Sequence, residues 1–297
     1  MKKMIVRIAE GLGNQMFMYS HSYSLSKKLG YDLFLDDTSG YFKKKNQFRS
    51  FELDKFNISA GLCLKSEKFD TIVGNLKRKF LKKTDFLRKK KIFFLETIKK
   101  DKNTKFYDLN KMSFADNLFV EGYFQSEKYF ADYSNEIKKQ FILKNEFLFS
   151  NNQYSNSLKN ENSVSICIRQ NRFSEGITKN NDKSFRFTKE TIDYIYRAVN
   201  FFQKKINNPV FYLWSNDFEN LNEYFDSNKF RFIENSVDKS LNDFYLFQNA
   251  KHFIVGPTPF HWWGAWLNEN PYKICVRPSN LNPSNNLDFW PKDWISI

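Results

Sequence analysis

The chain has 297 residues, 41% of them hydrophobic, which is enough for one large core or two ordinary domains, and length favours two. Its formal charge is +14, and its three cysteines, Cys63, Cys167 and Cys275, are odd in number, far apart and without metal-ligand spacing, which fits a reducing compartment. No apolar run reaches the length of a bilayer span, and residues 1–8 lead into a glycine turn rather than a secretory leader, so the expectation is a cytoplasmic protein.

In chain order, residues 4–8 read as a short buried strand, 11–13 as a tight turn, 14–29 as a helix closed by Gly30, and 31–35 as a second strand. This alternation favours a parallel α/β sheet. Residues 38–116 are less regular. Within them, residues 76–102 carry twelve Lys or Arg against Asp85, Glu96 and Asp101, a net +9. Interleaved Leu76, Phe80, Leu87, Ile92, Leu95 and Ile98 predict basic helices with an apolar side. Such a stretch suits a solvated face, an anionic membrane surface or an anionic carrier-linked substrate. Nucleic acid is set aside, because no recognition motif accompanies the charge.

Residues 118–123 read as a strand, and a helix is expected from Ser126 to about Lys139. The polar run 150–162, with five Asn and three Ser in thirteen residues, is the best linker candidate and divides the chain into domains 1–155 and 156–297. Beyond it, strands are expected at 164–168, 210–214, 230–233, 252–255 and 273–276. Helices are expected at 188–205, 218–225, 240–250 and 260–267. This pattern describes an open doubly wound sheet, an arrangement that binds nucleotides outside the carboxyl ends of its strands.

Three polar segments fall at those ends: Arg169 to Arg172, Ser215 to Asp217, and Gly256 to Thr258. Arg169 and Arg172 suit a diphosphate, because a guanidinium is permanently charged and donates in a planar fork; ion-paired surface arginines are the alternative. Asn216 or Asp217 would read a base or ribose edge, or cap the following helix. The turn carrying Asn14 and Gln15 resembles a phosphate cradle, but it lacks the third glycine of a dinucleotide fingerprint and the Lys-Ser/Thr of a P-loop. Trp262, Trp263 and Trp266 fall within five residues. They would anchor a buried helix and hold rigid the loop 256–259, whose amides and Thr258 hydroxyl would meet a phosphate. His21, His252 and His261 are isolated, and Asp36-Asp37 lacks the spacer of a metal-binding acidic pair, so no metal is expected.

Taken together, these segments resemble family 11 glycosyltransferases, the α-1,2-fucosyltransferases. Gly11-Leu-Gly-Asn-Gln-Met-Phe-Met-Tyr19 is similar to the family's GGLGNQMFQYA start, with Glu10 in place of its first glycine. Residues 51–58 and 122–130 resemble its FEL…FNI and GYxQSEKYF segments. Residues 243–252 and 260–268 resemble DLYLMxxCKH and FSWWGAWLN. The resemblance implies a GT-B fold of two Rossmann-like domains facing across a cleft, with an acceptor-side first domain and a second domain that holds GDP-fucose.

It also implies metal-independent, inverting transfer of L-fucose to the 2-hydroxyl of a galactoside-type acceptor during synthesis of a bacterial surface polysaccharide, O-antigen or capsule. The acceptor would ride on a lipid carrier, with residues 76–102 keeping the enzyme at the inner membrane. The family's HxRRGD hallmark maps onto residues 167–172, where only Arg169 keeps its arginine. Arg169 would stabilise the departing GDP. Arg172, at the aspartate position, would add a second cation. Any acceptor base would then lie elsewhere, with Glu175 first and His21 and Asp37 behind it. Thr258 keeps a hydroxyl, and His261 replaces a serine, for phosphate contact or packing. The alternatives are a non-catalytic nucleotide or carbohydrate binding protein on the same fold, and a transferase of another GDP-deoxysugar.

Overall fold

The computed structural model describes residues 2–42, 49–97, 103–104, 106–147, 153–174, 179–234, 239–284 and 286–297. They form two units: Met1–Lys144 with Ser284–Phe289, and Asn145–Pro283 with Trp290–Ile297. The expected boundary after residue 155 falls inside a helix of the second unit.

The first unit begins with β1 (Lys3–Arg7), α1 (Leu12–Leu29) and β2 (Asp32–Asp36), and continues through β3 (Gly61–Leu62), α2 (Ile72–Thr84), β4 (Lys91–Leu95), β5 (Phe114–Glu121) and α3 (Ser134–Gln140). The strands form one sheet in the order β3-β2-β1-β5-β4, with all neighbours parallel. Helix α1 is buried on nearly every side, which is why it lacks an amphipathic stripe. Three of its serines bond back within the helix: Ser20 donates to Met16 O, Ser22 to Met18 O and Ser26 to Tyr23 O, each at 2.8 Å. Gly30 ends the helix in the left-handed region at φ 69°.

Two expectations change here. The basic stretch 76–102 is not helical throughout. It contains the edge strand β4, where the apolar run Ile92 to Leu95 pairs with β5. The helix expected from Ser126 is instead a pair of 3₁₀ turns, Glu127–Tyr129 and Ala131–Tyr133, followed by the short α3. Phe130, fully buried between the turns, takes a non-helical backbone that interrupts the run.

The second unit comprises α4 (Gln153–Asn160), β6 (Ser163–Ile168), α5 (Asn181–Lys205), β7 (Val210–Ser215), β8 (Phe230–Phe232), α6 (Lys239–Phe247), β9 (His252–Ile254), α7 (Pro259–Leu267), β10 (Cys275–Arg277) and β11 (Ile295–Ser296). Its order, β11-β10-β9-β6-β7-β8, all parallel, is that of a six-stranded Rossmann sheet read from its far edge. The strand order reverses between β6 and β9. Strand β6 is wholly buried, as a central parallel strand must be. Helix α5 lays Ile192, Ile195 and Phe202 on Val164, Ile166 and Leu213 of the sheet.

Here too the structure differs from the expectation. The polar run 150–162 contains α4, whose Leu158 is buried. The segment 218–225 forms only the 3₁₀ turn Leu221–Glu223, because Asn220 adopts a left-handed backbone, φ 60°, that interrupts a right-handed helix. A sixth strand, β11, is too short to show a period in sequence. Among the described residues, no helix is long and apolar enough to cross a membrane.

Candidate active site

The carboxyl edge of the second sheet is built by three loops. After β6, Arg169 to Arg172 leave the sheet beside the point where strand order reverses. The loop after β7 meets them directly. Asn216 accepts from the Gln170 backbone N–H at 2.8 Å and returns a hydrogen bond to the Gln170 carbonyl at 3.3 Å. The Gln170 side chain donates to the carbonyls of Asp217 and Glu219, and Asn171 donates to the Asp217 carboxylate at 3.0 Å. Asp217 also accepts from its own loop, at Glu219 N, 2.9 Å away. Asn216 and Asp217 therefore clasp the β6 loop to the β7 loop, and neither caps a helix.

The loop after β9 closes the other side. Arg172 donates to the Pro257 carbonyl at 2.7 Å while its guanidinium lies over the Phe187 ring at 5.0 Å. Thr258 caps α7, accepting from His261 N at 3.2 Å, and Pro259 starts the helix, as its fixed φ allows. A side chain at Gly256 would lie 2.4 Å from the Cys167 carbonyl oxygen and 2.4 Å from His261 Nδ1, so only glycine lets β6, β9 and α7 converge. From behind, Tyr194 of α5 donates to the Val276 carbonyl at 2.7 Å and the Val255 carbonyl at 3.2 Å.

Beneath this edge lies an aromatic frame. Trp262 stacks on Trp266 at 5.7 Å and meets Trp263 edge-on at 4.9 Å, and Trp294 and Trp290 extend the cluster. Gly264 lets α7 press on α6, since a side chain there would meet Phe247 at 2.3 Å. The two C-terminal tryptophans are frame residues that sequence reading did not single out. Their spacing from residues 262–266 offered no signal.

Two cations act on the head of α7. His261 is buried, and desolvation, then the charges of Arg169 and Arg172, push its imidazole down to about 3. It is neutral at neutral pH. Cys167, at the histidine position of HxRRGD, is a buried thiol that burial, and then the charge of Asp243, raises well above its ordinary value, which makes it a packing group. Asn171 occupies the glycine position of that motif and takes a left-handed backbone, φ 56°, a region that Asn tolerates better than most residues. Glu10, at the first glycine of the N-terminal motif, does the same with φ 65°.

The remaining candidates lie elsewhere. Gln15 belongs to the first unit and is fully buried. Its amide donates to Glu10 O and Ser50 O and accepts from Glu52 N, so it pins two loops to α1 rather than presenting a hydrogen-bonding group to a ligand. Asn14, beside it, accepts from Gln125 Nε2 at 2.6 Å. His21 is a core residue stacked on Phe124 at 3.6 Å, and burial, then the charge of Lys28, lowers its imidazole to about 3. Asp37 is paired with Lys68 at 2.5 Å. Glu175 lies outside the described residues. Among the described residues, no group of three His, Cys, Asp or Glu side chains could hold a metal ion.

Two parallel α/β units, the second a six-stranded sheet with arginines at its switch point, define a glycosyltransferase fold of the GT-B type. The chain belongs to glycosyl transferase family 11, whose pattern matches residues 3–297. It is 28% identical to an alpha-1,2-colitosyltransferase of Escherichia coli, with all of this chain and 99% of that protein covered. It is also 28% identical to the O-antigen biosynthesis glycosyltransferase WbnK of Escherichia coli, covering 98% of this chain and 99% of that one. Among solved structures, the fucosyltransferase NodZ from Bradyrhizobium superposes with a TM-score of 0.55 at 12% identity, over 89% of this chain and 91% of NodZ.

Proposed function

We propose that this glycosyltransferase moves L-fucose from GDP-fucose to the 2-hydroxyl of a galactoside-type acceptor, with inversion and without a metal, in synthesis of a bacterial O-antigen or related surface polysaccharide. The observation that carries this reading is the pair Arg169 and Arg172, whose charges both reach His261 at the head of α7, at the switch point of the sheet. Negative charge grows on the diphosphate as the bond from its oxygen to the sugar breaks. Permanent cations and helix amides fixed in place stabilise that charge without reorganising.

Arg169 is assigned the leaving diphosphate. Arg172, held by Pro257 O and the Phe187 ring, places a second cation and ties the β6 loop to the β9 loop. Thr258 offers its hydroxyl proton to the same group while its oxygen caps α7. The acceptor hydroxyl attacks the anomeric carbon from the opposite face and loses its proton late, with Glu175 as first candidate base. The acceptor travels on a lipid carrier, and the enzyme works peripherally at the inner membrane. Relatives named for O-antigen synthesis and for α-1,2 transfer support the polymer and the linkage.

A second reading, transfer of colitose from its GDP-activated form, is favoured by the full-length similarity to a colitosyltransferase. Incubation with GDP-fucose or GDP-colitose and a panel of galactosides, with and without EDTA, separates the two. Fucosyl transfer undiminished by EDTA is expected. GDP binding with neither transfer nor donor hydrolysis would leave a binding protein on a transferase fold. In the active reaction, Arg169→Ala is expected to lower kcat by about 10²–10³, the usual cost of losing one electrostatic group in the transition state, with the fold intact by circular dichroism.

A further inference from the structure

Helix α2 is turned with its apolar side outward. Thr71 caps it, accepting from Gly74 N at 2.9 Å, and none of its residues is buried. The side that holds it to its own unit is charged. Arg78 grips the Glu121 carboxylate with two nitrogens at 2.5 and 2.6 Å, and Lys82 adds a bond at 2.6 Å. Burial alone would raise Glu121, but the hydrogen bonds and charges of Arg78 and Lys82 outweigh it and hold the carboxyl below its ordinary range.

At the 3.6-residue period, Ile72, Val73, Leu76 and Phe80 share the arc away from Arg78 and Lys82. They are 61–75% exposed, and Phe86 and Leu87, in the turn behind the helix, are 74% and 72% exposed. Lys77, Lys79 and Lys83 stand exposed around this stripe, followed by Lys89 and Lys90. A contiguous apolar surface of this kind marks an interaction site. Its lysine border selects the occupant: a second copy would bring the same positive ring against itself, whereas a bilayer with anionic headgroups accepts the apolar side chains and the ammonium groups together.

We propose that α2 and the turn Asp85–Leu87 form a membrane-docking surface, with Ile72, Val73, Leu76, Phe80, Phe86 and Leu87 entering the acyl boundary and the lysines meeting anionic headgroups. This gives the peripheral location proposed above its physical basis and rests on that reading only for its biological purpose. The test is sedimentation of the full chain with phosphatidylcholine vesicles and with vesicles that also contain phosphatidylglycerol. Wild type should sediment with the anionic vesicles, and Leu76→Gln/Phe80→Gln should lower that partitioning by about tenfold or more.

Lys77→Gln/Lys79→Gln/Lys83→Gln should weaken binding to the anionic vesicles selectively. The Arg78 and Lys82 anchors are untouched in these variants, so far-UV circular dichroism and transfer to a soluble galactoside should match wild type. That assay also separates loss of docking from failure of the catalytic reading. Wild type that stays in the supernatant, or a Leu76→Gln/Phe80→Gln variant that sediments like wild type, overturns the proposal. So does a concentration-dependent dimer that those two substitutions abolish, which would assign the face to a second copy.

Discussion

The two parallel sheets handle charge differently at their carboxyl edges. In the first unit, charges at the carboxyl ends of the strands answer one another: Glu121 is gripped by Arg78 and Lys82, Asp37 pairs with Lys68, and Asp36 accepts from Ser39 N at 3.0 Å. The pKa of Arg7, the last residue of β1, is lowered by its burial and by the charge of Arg78, against the opposing effect of Glu121 and Asp36. In the second unit, the charges that act on His261 are those of Arg169 and Arg172, both positive. Two all-parallel sheets thus differ at this edge: in the first the charges are paired, in the second two arginines act together on His261. The anionic donor is proposed for the second.

The largest expected effect comes from unbalancing the first edge. Glu121→Ala leaves Arg78 and Lys82 without the carboxylate they share, and is expected to cost on the order of 3 kcal/mol, read as a lower urea midpoint; an unchanged midpoint would mean that this edge needs no neutralisation.

Acid sensitivity is read at a fixed step of one pH unit, where each histidine contributes less than this. The folded-state values of His21 and His261, about 3, lie below the unfolded value of 6.5, so between those limits the unfolded chain binds more protons. The contribution of these two histidines is therefore complete above about pH 6.5 and falls as pH drops toward 3, by at most about 1.4 kcal/mol per pH unit for each. His21→Phe should remove one such contribution between pH 6 and 5. An identical slope in that variant would contradict a neutral, buried His21.

The smallest effect concerns the loop that carries the cations. Asn171→Val, forced to φ 56°, should lose about 1–2 kcal/mol, whereas Asn171→Gly should lose only its bond to Asp217. Equal loss from both substitutions would place the cost in that hydrogen bond instead of the backbone.

Much of this second edge was legible in sequence. Buried parallel strands show as continuous apolar runs, so residues 164–168, 210–214 and 252–255 stood out, and their carboxyl ends located Arg169, Arg172, Asn216, Asp217 and Thr258 on one edge. The duties of Asn216 and Asp217 were not legible, because their partners Gln170 and Asn171 lie some forty-six residues away in the chain. Gln15 misled for the same reason: a glutamine after a glycine turn suits a phosphate, but Ser50 O and Glu52 N engage it. The orientation of α2 depends on Glu121, a single distant carboxylate that periodicity does not register.

The central claim is that the cationic edge of the second sheet holds the guanosine diphosphate. Isothermal titration of GDP into wild type, Arg169→Ala and Arg172→Ala addresses it directly. Each substitution is predicted to weaken binding by about tenfold or more, about 1.4 kcal/mol, with wild-type affinity falling as salt rises. GDP bound equally well by all three proteins would contradict the account.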